Sequence, residues 1–316
     1  MKIGVLTSGG DSPGMNVAIR AVVRSGIKAG HKVYAIFDGY RGLLDEKFKL
    51  MKHEDVSGII TEGGTILGTS RVPEFLEHEV RLQAVANLQK KGIEGLVVIG
   101  GDGTYHGAME LTKLGIKCVG IPGTIDNDIA GTDYTLGFNT AVETIVDALD
   151  KLRDTSTSHQ RCSVLEVMGR KCGDLALYAG ICGGAEFIIT PENPVDKEKM
   201  IKRLTKYKNE GRRHAIVVLT EKICDPHALA KEITDRSGFS SRATVLGYIQ
   251  RGGSPCPQDR ILGSRMGDYA VELLTQGIFG VAVGVSNERM IHMPFNNIVG
   301  QHRPKNELYK LVKQVS

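Results

Sequence analysis

Short apolar runs alternate with stretches of helical periodicity along nearly the whole chain. The apolar runs predict β-strands at 2–7, 32–37, 95–100, 117–121, 162–168, 186–190, 214–219, 243–249 and 281–285. The periodic stretches predict helices near 15–29, 80–91, 104–114, 139–157, 173–182, 197–210, 226–238, 258–276 and 305–315. Such alternation is typical of βαβ units, so the fold class is expected to be α/β with mainly parallel sheets.

Nine predicted strands in 316 residues favour two doubly wound lobes over one. A closed barrel is the main alternative, but a barrel needs more regular βα repeats. We expect the chain to cross between lobes at Gly131–Asn139 and to return at Gly247–Ser254. The lobes predicted on this basis are 1–138 plus about 252–304, and 139–251 plus about 305–316.

The composition is that of an ordinary globular protein and excludes several classes. Lys and Arg number 40 against 36 Asp and Glu, and the net charge of +4 is too weak to indicate a nucleic-acid partner. The apolar runs are too short for a signal peptide or for the roughly 18 residues of a membrane span. We therefore expect a cytoplasmic protein without membrane contact. The six cysteines form no C-x-x-C pair, so neither zinc nor disulfides are expected.

Two loops that directly follow predicted strands carry the groups of phosphate chemistry. Gly100–Thr104 offers glycines and the Asp102 carboxylate, and Pro122–Asp128 offers Asp126 and Asp128 close to the hydroxyl of Thr124. Open α/β sheets bind ligands at the carboxyl ends of their strands. These loops can supply backbone N–H groups for phosphates, a carboxylate for Mg²⁺ and a base for a hydroxyl. The alternative for the second loop is a pair of turn and cap carboxylates.

A third loop, Ser8–Gly14, follows the first strand and opens a helix, where backbone N–H groups favour anions. The alternative is a tight βα turn, and the absence of G-x-x-x-x-G-K-[ST] from the sequence excludes the usual P-loop. Arg20 and Arg24 share one face of that helix, which suits either solvent or an anion. Guanidinium groups that match phosphates recur near other strand ends, at Arg71, Arg161, Arg170, Arg242 and Arg251.

These motifs, in this order, resemble the bacterial ATP-dependent 6-phosphofructokinases. The resemblance covers essentially residues 1–285 and is carried by LTSGGDSPGMN, GGTILGTSR, VVIGGDGTYHGA, GIPGTIDND, KLRDT, VMGR, GGAE and QRGGSP. It implies a phosphofructokinase-like fold and a kinase of glycolysis. Such a kinase transfers the γ-phosphoryl group of ATP to the 1-hydroxyl of fructose 6-phosphate, with Mg²⁺ as cofactor.

The resemblance also implies roles for individual residues. ATP would bind the first lobe, with Asp102 toward Mg²⁺, at Gly10, Arg71, Val72, Gly101, Asp102, Gly103 and Thr104. Asp126 would be the base, assisted by Thr124, Arg71 and Asp128. Fructose 6-phosphate would lie between the lobes, near Thr124, Ile125, Asp126, Met168, Gly169, Arg170, Glu221, Tyr248 and Arg251. Arg161 and Arg242 would reach a neighbouring subunit, which implies a homotetramer with shared active sites.

The choice between ATP and pyrophosphate rests on two glycines. Pyrophosphate-using relatives typically carry Asp where this chain has Gly103 and Lys where it has Gly123. An Asp would intrude on the region of the nucleotide α-phosphate, and a Lys would pair with bare pyrophosphate. The sequence therefore favours ATP.

Departures from the family pattern fall on the substrate and effector positions. Tyr248 replaces the family's substrate-binding His, and Lys222 replaces a usual Gly, so we expect weaker substrate affinity and a displaced or salt-bridged Glu221. ADP activation and phosphoenolpyruvate inhibition would involve Arg20, Arg24, Arg153, Gly184, Glu186, Arg212, Arg213 and His214. His53 and Gly58 replace a usual Arg and Asp, so the effector response is expected to be weak or absent.

Three alternatives stay open at this point. A pyrophosphate-dependent or other sugar-phosphate kinase is opposed by Gly103 and Gly123. A regulatory subunit that has lost catalysis is opposed by the retained Asp126 and Asp128. A lipid or dinucleotide kinase would share the Gly-Gly-Asp-Gly loop but would leave Thr124–Asp128 unexplained. The divergent segment Met290–Ser316 carries no functional prediction.

Overall fold

The computed structural model describes residues 1–301, 303–304 and 306–315, and the side chains of 313 and 315 are not described. This part of the chain divides into two compact units. The first unit contains Met1–Ile125, Ile129–Thr140 and Arg251–Arg303, and the second contains Asp126–Asp128, Ala141–Gln250 and Pro304–Ser316. The predicted boundaries at 305 and 316 fall outside the described residues.

The strands are β1 (Lys2–Thr7), β2 (Lys32–Ile36), β3 (Phe48–Leu50), β4 (Gly95–Gly100), β5 (Lys117–Pro122), β6 (Arg161–Val167), β7 (Phe187–Ile189), β8 (Ala215–Thr220), β9 (Ser240–Val245), β10 (Val281–Ser286) and β11 (Arg289–Pro294). The helices are α1 (Met15–Lys28), α2 (Tyr40–Leu44), α3 (His78–Lys91), α4 (Asp102–Lys113), α5 (Phe138–His159), α6 (Asp174–Cys182), α7 (Lys197–Asn209), α8 (Pro226–Ser237), α9 (Pro257–Thr275) and α10 (Leu308–Val315).

Within the described residues, the first unit holds a seven-stranded sheet in the order β11-β10-β5-β4-β1-β2-β3. Its inner pairs are parallel, and its two edge pairs, β2–β3 and β10–β11, are antiparallel. The sheet of the second unit has the order β7-β8-β6-β9 with parallel pairs throughout. The prediction of an α/β fold with mainly parallel sheets is confirmed.

The larger sheet is covered by helices on both faces, which explains its continuous apolar strands. Residues of β4 alternate between two core clusters: Val97 packs in the cluster that contains α1 and α9 residues, and Val98 in the one that contains α3 and α4 residues. All six residues of β4 are buried. This double burial fixes the carboxyl ends of β1, β4 and β5 side by side.

Three short elements and one strand boundary depart from the predictions. The strand predicted at 243–249 is found at Ser240–Val245, because β9 pairs with β6 from Arg161 onward. The apolar residues after it are not buried: Tyr248 is 79% exposed, and it lies in a 3₁₀ turn. The strands β3 and β11 and the five-residue helix α2 are absent from the predictions because they are short or half-exposed.

Two further observations concern membrane-spanning helices and cysteines. Among the helices that the structure describes, none combines the length and the apolar character needed to cross a bilayer. The cysteines are all free thiols.

Candidate functional site

Three loops of the first unit meet at the carboxyl ends of β1, β4 and β5. The backbone N–H of Ser8 donates to the Ile99 carbonyl (3.0 Å), and that of Gly123 donates to the Gly100 carbonyl (3.0 Å). The hydroxyl of Thr104 donates to the Ser8 carbonyl at 3.1 Å. The loops that the sequence singled out at 8–14 and 100–104, and the beginning of the loop at 122–128, are therefore neighbours.

Glycines allow the close approach of these loops at two points. A Cβ atom on Gly100 would lie 2.4 Å from the Ser8 carbonyl oxygen and 2.3 Å from the Thr104 hydroxyl. A Cβ on Gly10 would lie 3.3 Å from a guanidinium nitrogen of Arg251. The guanidinium of Arg251 thus lies against the first loop, where it adds positive charge beside a turn of the type that suits anions.

Gly103 differs from these packing glycines. Among the described residues no atom lies within 4 Å of the position that its Cβ would take, and its backbone lies outside the left-handed region. The fold therefore does not require glycine here. An exposed glycine in the first turn of a helix costs stability relative to alanine, and the open space beside it leaves room for a ligand.

Asp102 begins α4 and is exposed, and one of its carboxylate oxygens accepts a hydrogen bond from the Gly300 N–H at 3.0 Å. The described residues contain no group of three or more His, Cys, Asp or Glu side chains that could hold a metal. Mg²⁺ commonly binds one or two carboxylates together with substrate phosphates and water. The single carboxylate of Asp102, beside a phosphate-type loop, fits that pattern.

A fully buried asparagine that the sequence reasoning did not assign positions the neighbouring loop. The Asn16 side-chain amide donates to the carbonyls of Glu62 (3.1 Å) and Gly63 (3.2 Å) and accepts from the Ile66 N–H (2.7 Å). The loop leads to Arg71, which is exposed, and to Val72, which packs against the core. The available signal was a polar residue on the apolar stripe of α1.

Thr124 ends the same group of loops and is fixed by its backbone. Its N–H donates to the Leu136 carbonyl at 3.2 Å, and its own carbonyl accepts from the Thr135 hydroxyl at 2.6 Å. The next residue, Ile125, is 3% exposed. Thr124 is thereby held at the point where the chain passes into the Asp126–Asp128 segment.

In the second unit, the structure brings Asp126, Arg170 and Glu221 together. The Arg170 Nε atom lies 3.8 Å from an Asp126 carboxylate oxygen, and the Arg170 N–H donates to the Glu221 carboxylate at 3.1 Å. The Glu221 N–H in turn donates to the Val167 carbonyl at the end of β6 (2.7 Å). Asp126 is 5% exposed. A nearly buried carboxylate beside a guanidinium is a chemically competent proton acceptor.

The sequence predicted that Glu221 is displaced or forms a salt bridge because of its neighbour Lys222. Among the ion pairs of the described residues there is none between Glu221 and Lys222. The Glu221 carboxylate is directed instead to the Arg170 backbone. Burial, followed by the charges of Glu221 and Asp225, raises the pKa of the neighbouring Glu166 carboxyl. This concentration of negative charge suits sugar hydroxyls better than phosphate oxygens.

Met168 and Gly169 form the turn after β6. The Met168 N–H donates to the side-chain oxygen of the buried Gln250 at 3.1 Å, a contact that the sequence did not indicate. Gly169 has a φ of 127°, and a Cβ there would lie 2.4 Å from the Cys172 carbonyl oxygen. Only glycine fits this turn, which places Arg170 toward Asp126.

Arg161 lies at the other end of the same sheet, and Arg242 lies in the middle of its edge strand. Arg161 begins β6, and Arg242 pairs beside Ser163 in β9. Arg161 and Val167 are the two ends of this seven-residue strand, about 20 Å apart at roughly 3.3 Å per residue, and the partner of Arg242, Ser163, is about 13 Å from Val167. Within one chain, these two arginines do not join the group of Asp126, Arg170 and Glu221.

The predicted effector residues fall into separate groups. Arg20 and Arg24 lie on α1 in the first unit, where burial and then mutual repulsion lower the pKa of Arg20. In the second unit, a Cβ on Gly184 would lie 3.6 Å from the Arg153 guanidinium.

Other predicted effector residues adjoin the end of α5 or are engaged elsewhere. Arg213 donates to the Thr157 carbonyl (3.3 Å), and the Thr157 hydroxyl lies 3.0 Å from His214 Nδ1. The Arg212 guanidinium stacks on the Tyr207 ring, and the Glu186 carboxylate accepts from the Ile216 N–H (2.7 Å). Arg153, Arg213 and His214 thus share the end of α5.

Parallel α/β units with glycine-rich loops at the carboxyl ends of their strands are typical of phosphate-binding α/β proteins. The chain belongs to the phosphofructokinase family: the family described as "Phosphofructokinase" matches residues 2–274. The resemblance recognised in the sequence is confirmed.

Curated relatives match the chain along its whole length. It is 55% identical over 316 residues to the "ATP-dependent 6-phosphofructokinase" of Photobacterium profundum, with 99% of each chain covered. It is 57% identical over 291 residues to the protein of the same name from Serratia proteamaculans, covering 92% of this chain and 91% of that one.

Solved structures agree on the fold. Phosphofructokinase from Saccharomyces cerevisiae superposes with a TM-score of 0.86 at 38% identity over 99% of this chain, which spans about half (46%) of the yeast chain. The pyrophosphate-dependent phosphofructokinase of Marinobacter aquaeolei covers 96% of this chain and 85% of its own, with a TM-score of 0.85 at 21% identity. That second likeness concerns the fold alone.

Proposed function

We propose that this chain is an ATP-dependent 6-phosphofructokinase of glycolysis, which converts fructose 6-phosphate and ATP into fructose 1,6-bisphosphate and ADP. The observation that carries the proposal is the nearly buried Asp126 carboxylate beside Arg170, directly after the Thr124 loop. Full-length relatives that bear this name support it.

ATP is the proposed phosphoryl donor, held in the first unit by Gly10, Arg71, Val72 and the Gly101–Thr104 loop. The open space around Gly103 supports a nucleotide, because the fold itself does not call for glycine there. Asp102 would hold Mg²⁺, which, when bound, would supply positive charge to the phosphate oxygens.

Asp126 is the proposed base, which takes the proton of the sugar 1-hydroxyl as that oxygen attacks the γ-phosphorus and ADP leaves. The charge on the transferring group would be stabilised by the Arg71 guanidinium and the Thr124 hydroxyl. Asp128 would support the charge of this loop. The proton ends on the Asp126 carboxylate, and the phosphoryl group ends on the sugar oxygen.

Fructose 6-phosphate is proposed to contact residues from several loops, namely Ile125, Met168, Gly169, Arg170, Glu221, Tyr248 and Arg251. Arg161 and Arg242 are proposed to serve a neighbouring subunit. The distances along β6 support this, because Arg161 and Arg242 lie about 20 Å and about 13 Å, respectively, before the end of the strand that leads to Arg170. The proposal therefore includes a homotetramer with shared active sites, in the cytoplasm, with at most a weak response to ADP or phosphoenolpyruvate.

A coupled assay with Mg²⁺, fructose 6-phosphate and either ATP or pyrophosphate tests the proposal. We expect product with ATP and none with pyrophosphate. The Asp126→Ser variant should lower kcat roughly 10³-fold, within the range of general-base catalysis. Asp196→Ser is the matched control, because Asp196 is an exposed N-cap of α7 and serine preserves that cap.

Three results would contradict the proposal. Equal product with pyrophosphate would favour the pyrophosphate-dependent alternative. Full activity of the Asp126→Ser protein would remove Asp126 from the role of base. No turnover with either donor would favour a regulatory subunit without catalysis.

A further inference from the structure

The C-terminal segment, for which the sequence offered no role, contacts the start of α6. The Asn306 side-chain amide donates to one oxygen of the Asp174 carboxylate at 3.3 Å. Asp174 is the first residue of α6 and is 4% exposed. A nearly buried carboxylate is costly unless hydrogen bonds hold its charge, so its partners determine where it lies.

The other oxygen of Asp174 holds the loop that contains the proposed base. The Asn127 side-chain amide donates to it at 2.8 Å, and Asn127 is fully buried. Asn127 stands between Asp126 and Asp128 and has a φ of 53°, in the left-handed region. That conformation costs free energy for a residue with a side chain, and the bond to Asp174 holds it in place.

A second contact from the same segment reaches the same helix start. The Tyr309 hydroxyl donates to the Glu192 carboxylate at 3.0 Å, and Glu192 accepts the Gly173 N–H at 3.0 Å. Tyr309 also lies 2.6 Å from the Thr190 hydroxyl. These hydrogen bonds hold the C-terminal helix α10 on the second unit, and their partners are Glu192 and Thr190 and not Asn127 or Asp174.

We infer that Asn306 is a positioning residue for catalysis, acting through Asp174 and Asn127 on the orientation of Asp126. The inference rests on the proposed role of Asp126 as the base. Reacting groups need alignment to well under 1 Å, so a relaxed Asn127 peptide slows the chemical step without weakening the binding of either substrate. The signature is therefore a lower kcat at unchanged KM values.

The test compares two substitutions of Asn306 with one of Tyr309 in the full-length protein. Asn306→Asp keeps an acceptor for the Leu308 N–H at the start of α10 but sets a carboxylate against Asp174. We expect kcat to fall on the order of tenfold, with the KM values for ATP and fructose 6-phosphate unchanged. In Asn306→Ser, serine can still cap α10 but is too short to reach Asp174, and we expect a smaller fall in kcat because no second carboxylate is added. Tyr309→Phe should lower the melting temperature and leave kcat unchanged.

Two outcomes would overturn the inference. Wild-type kcat in both Asn306 proteins would show that Asp174 positions Asn127 without help. An equal loss of kcat in Tyr309→Phe would show a general loosening of the C-terminal segment. If Asn306→Asp fails to fold, the comparison of Asn306→Ser with Tyr309→Phe decides. The Asp126→Ser protein separates the two ideas: if it stays active, the proposed base is wrong whatever the Asn306 proteins show.

Discussion

The candidate loops of the two units reach their bends by different means. In the first unit the left-handed positions are glycines, among them Gly9 (φ 87°), Gly14 (95°) and Gly253 (94°). The second unit also uses glycine, as at Gly169 (127°), but three of its left-handed positions carry long or polar side chains: Asn127 (53°), Arg170 (56°) and Lys222 (68°).

The difference shows two ways of building a site. Glycine loops adopt tight turns without steric cost and leave backbone N–H groups accessible, which suits phosphates that need no particular side chain. Left-handed Asn127 and Arg170 present side chains and must be held by bonds, to Asp174 and Glu221 respectively. Lys222 has no such bond in the described part of the chain, so no hydrogen bond offsets the cost of its left-handed backbone.

The largest effect is expected from breaking a glycine contact of the first unit. Gly100→Ala places a methyl group 2.4 Å from the Ser8 carbonyl oxygen, so the β1 and β4 loops must separate. We expect the free energy of unfolding to fall by about 1–3 kcal/mol. Urea denaturation measures this, and Gly103→Ala, with no atom near its Cβ, is the control. Equal stability of the two proteins would contradict the packing role of Gly100.

A second substitution separates packing from ligand space within the same loop. Gly103→Asp should leave the melting temperature near that of Gly103→Ala but raise the KM for ATP roughly 10- to 100-fold, because a carboxylate there faces the nucleotide phosphates. Steady-state kinetics with ATP measure the change. An unchanged KM for ATP would show that the nucleotide does not approach Gly103.

A smaller effect is expected at the exposed turn after β9. Tyr248→His restores the side chain that the family usually carries and adds a donor that can be charged beside the sugar phosphate. We expect the KM for fructose 6-phosphate to fall roughly 3- to 10-fold with kcat unchanged, because a charged hydrogen bond is stronger than a neutral one. Initial-rate kinetics at pH 6.5–8 test this, and a KM equal to that of the parent protein would refute it.

The smallest effect sharpens the comparison between the units. Lys222→Gly relieves the left-handed backbone and should stabilise the protein by about 0.5 kcal/mol, after the entropy cost of glycine. Asn127→Gly is the matched control with the opposite sign, because it removes the bond to Asp174 and should destabilise by about 1–3 kcal/mol. Equal shifts for both substitutions would show that the bond at Asn127 contributes nothing.

Much of the fold followed from the sequence because strands of the parallel sheets are buried on both faces and read as apolar runs. The strand β11 was not predicted, because its residues are half-exposed and the turn before it lacks the usual glycine. Asn287 and Glu288 have φ values of 47° and 64°, as in a two-residue hairpin turn of type I′. Glu288 stands where such turns usually have glycine, and the signal was lost.

The candidate site was also only partly predictable from the sequence. Residues of short motifs, such as Asp102 and Thr124, were assigned because their spacing and resemblance carry the information. Asn16, Asp174 and Gln250 act through contacts between segments far apart in the chain, at separations of 46, 47 and 82 residues. No local sequence pattern predicts a buried polar side chain whose hydrogen-bond partner lies in another loop.

The chain order of the larger sheet has a consequence for synthesis. Strands β1 to β5 are made first, then the whole of the smaller sheet, and only then β10, which pairs with β5. Until residue 286 has left the ribosome, β5 is an unpaired edge with an apolar sequence, and such edges promote misassembly. A nascent chain that stops after β9 is therefore expected to depend on chaperones. A chain that extends through β11 covers the edge of β5 with its own β10 and β11.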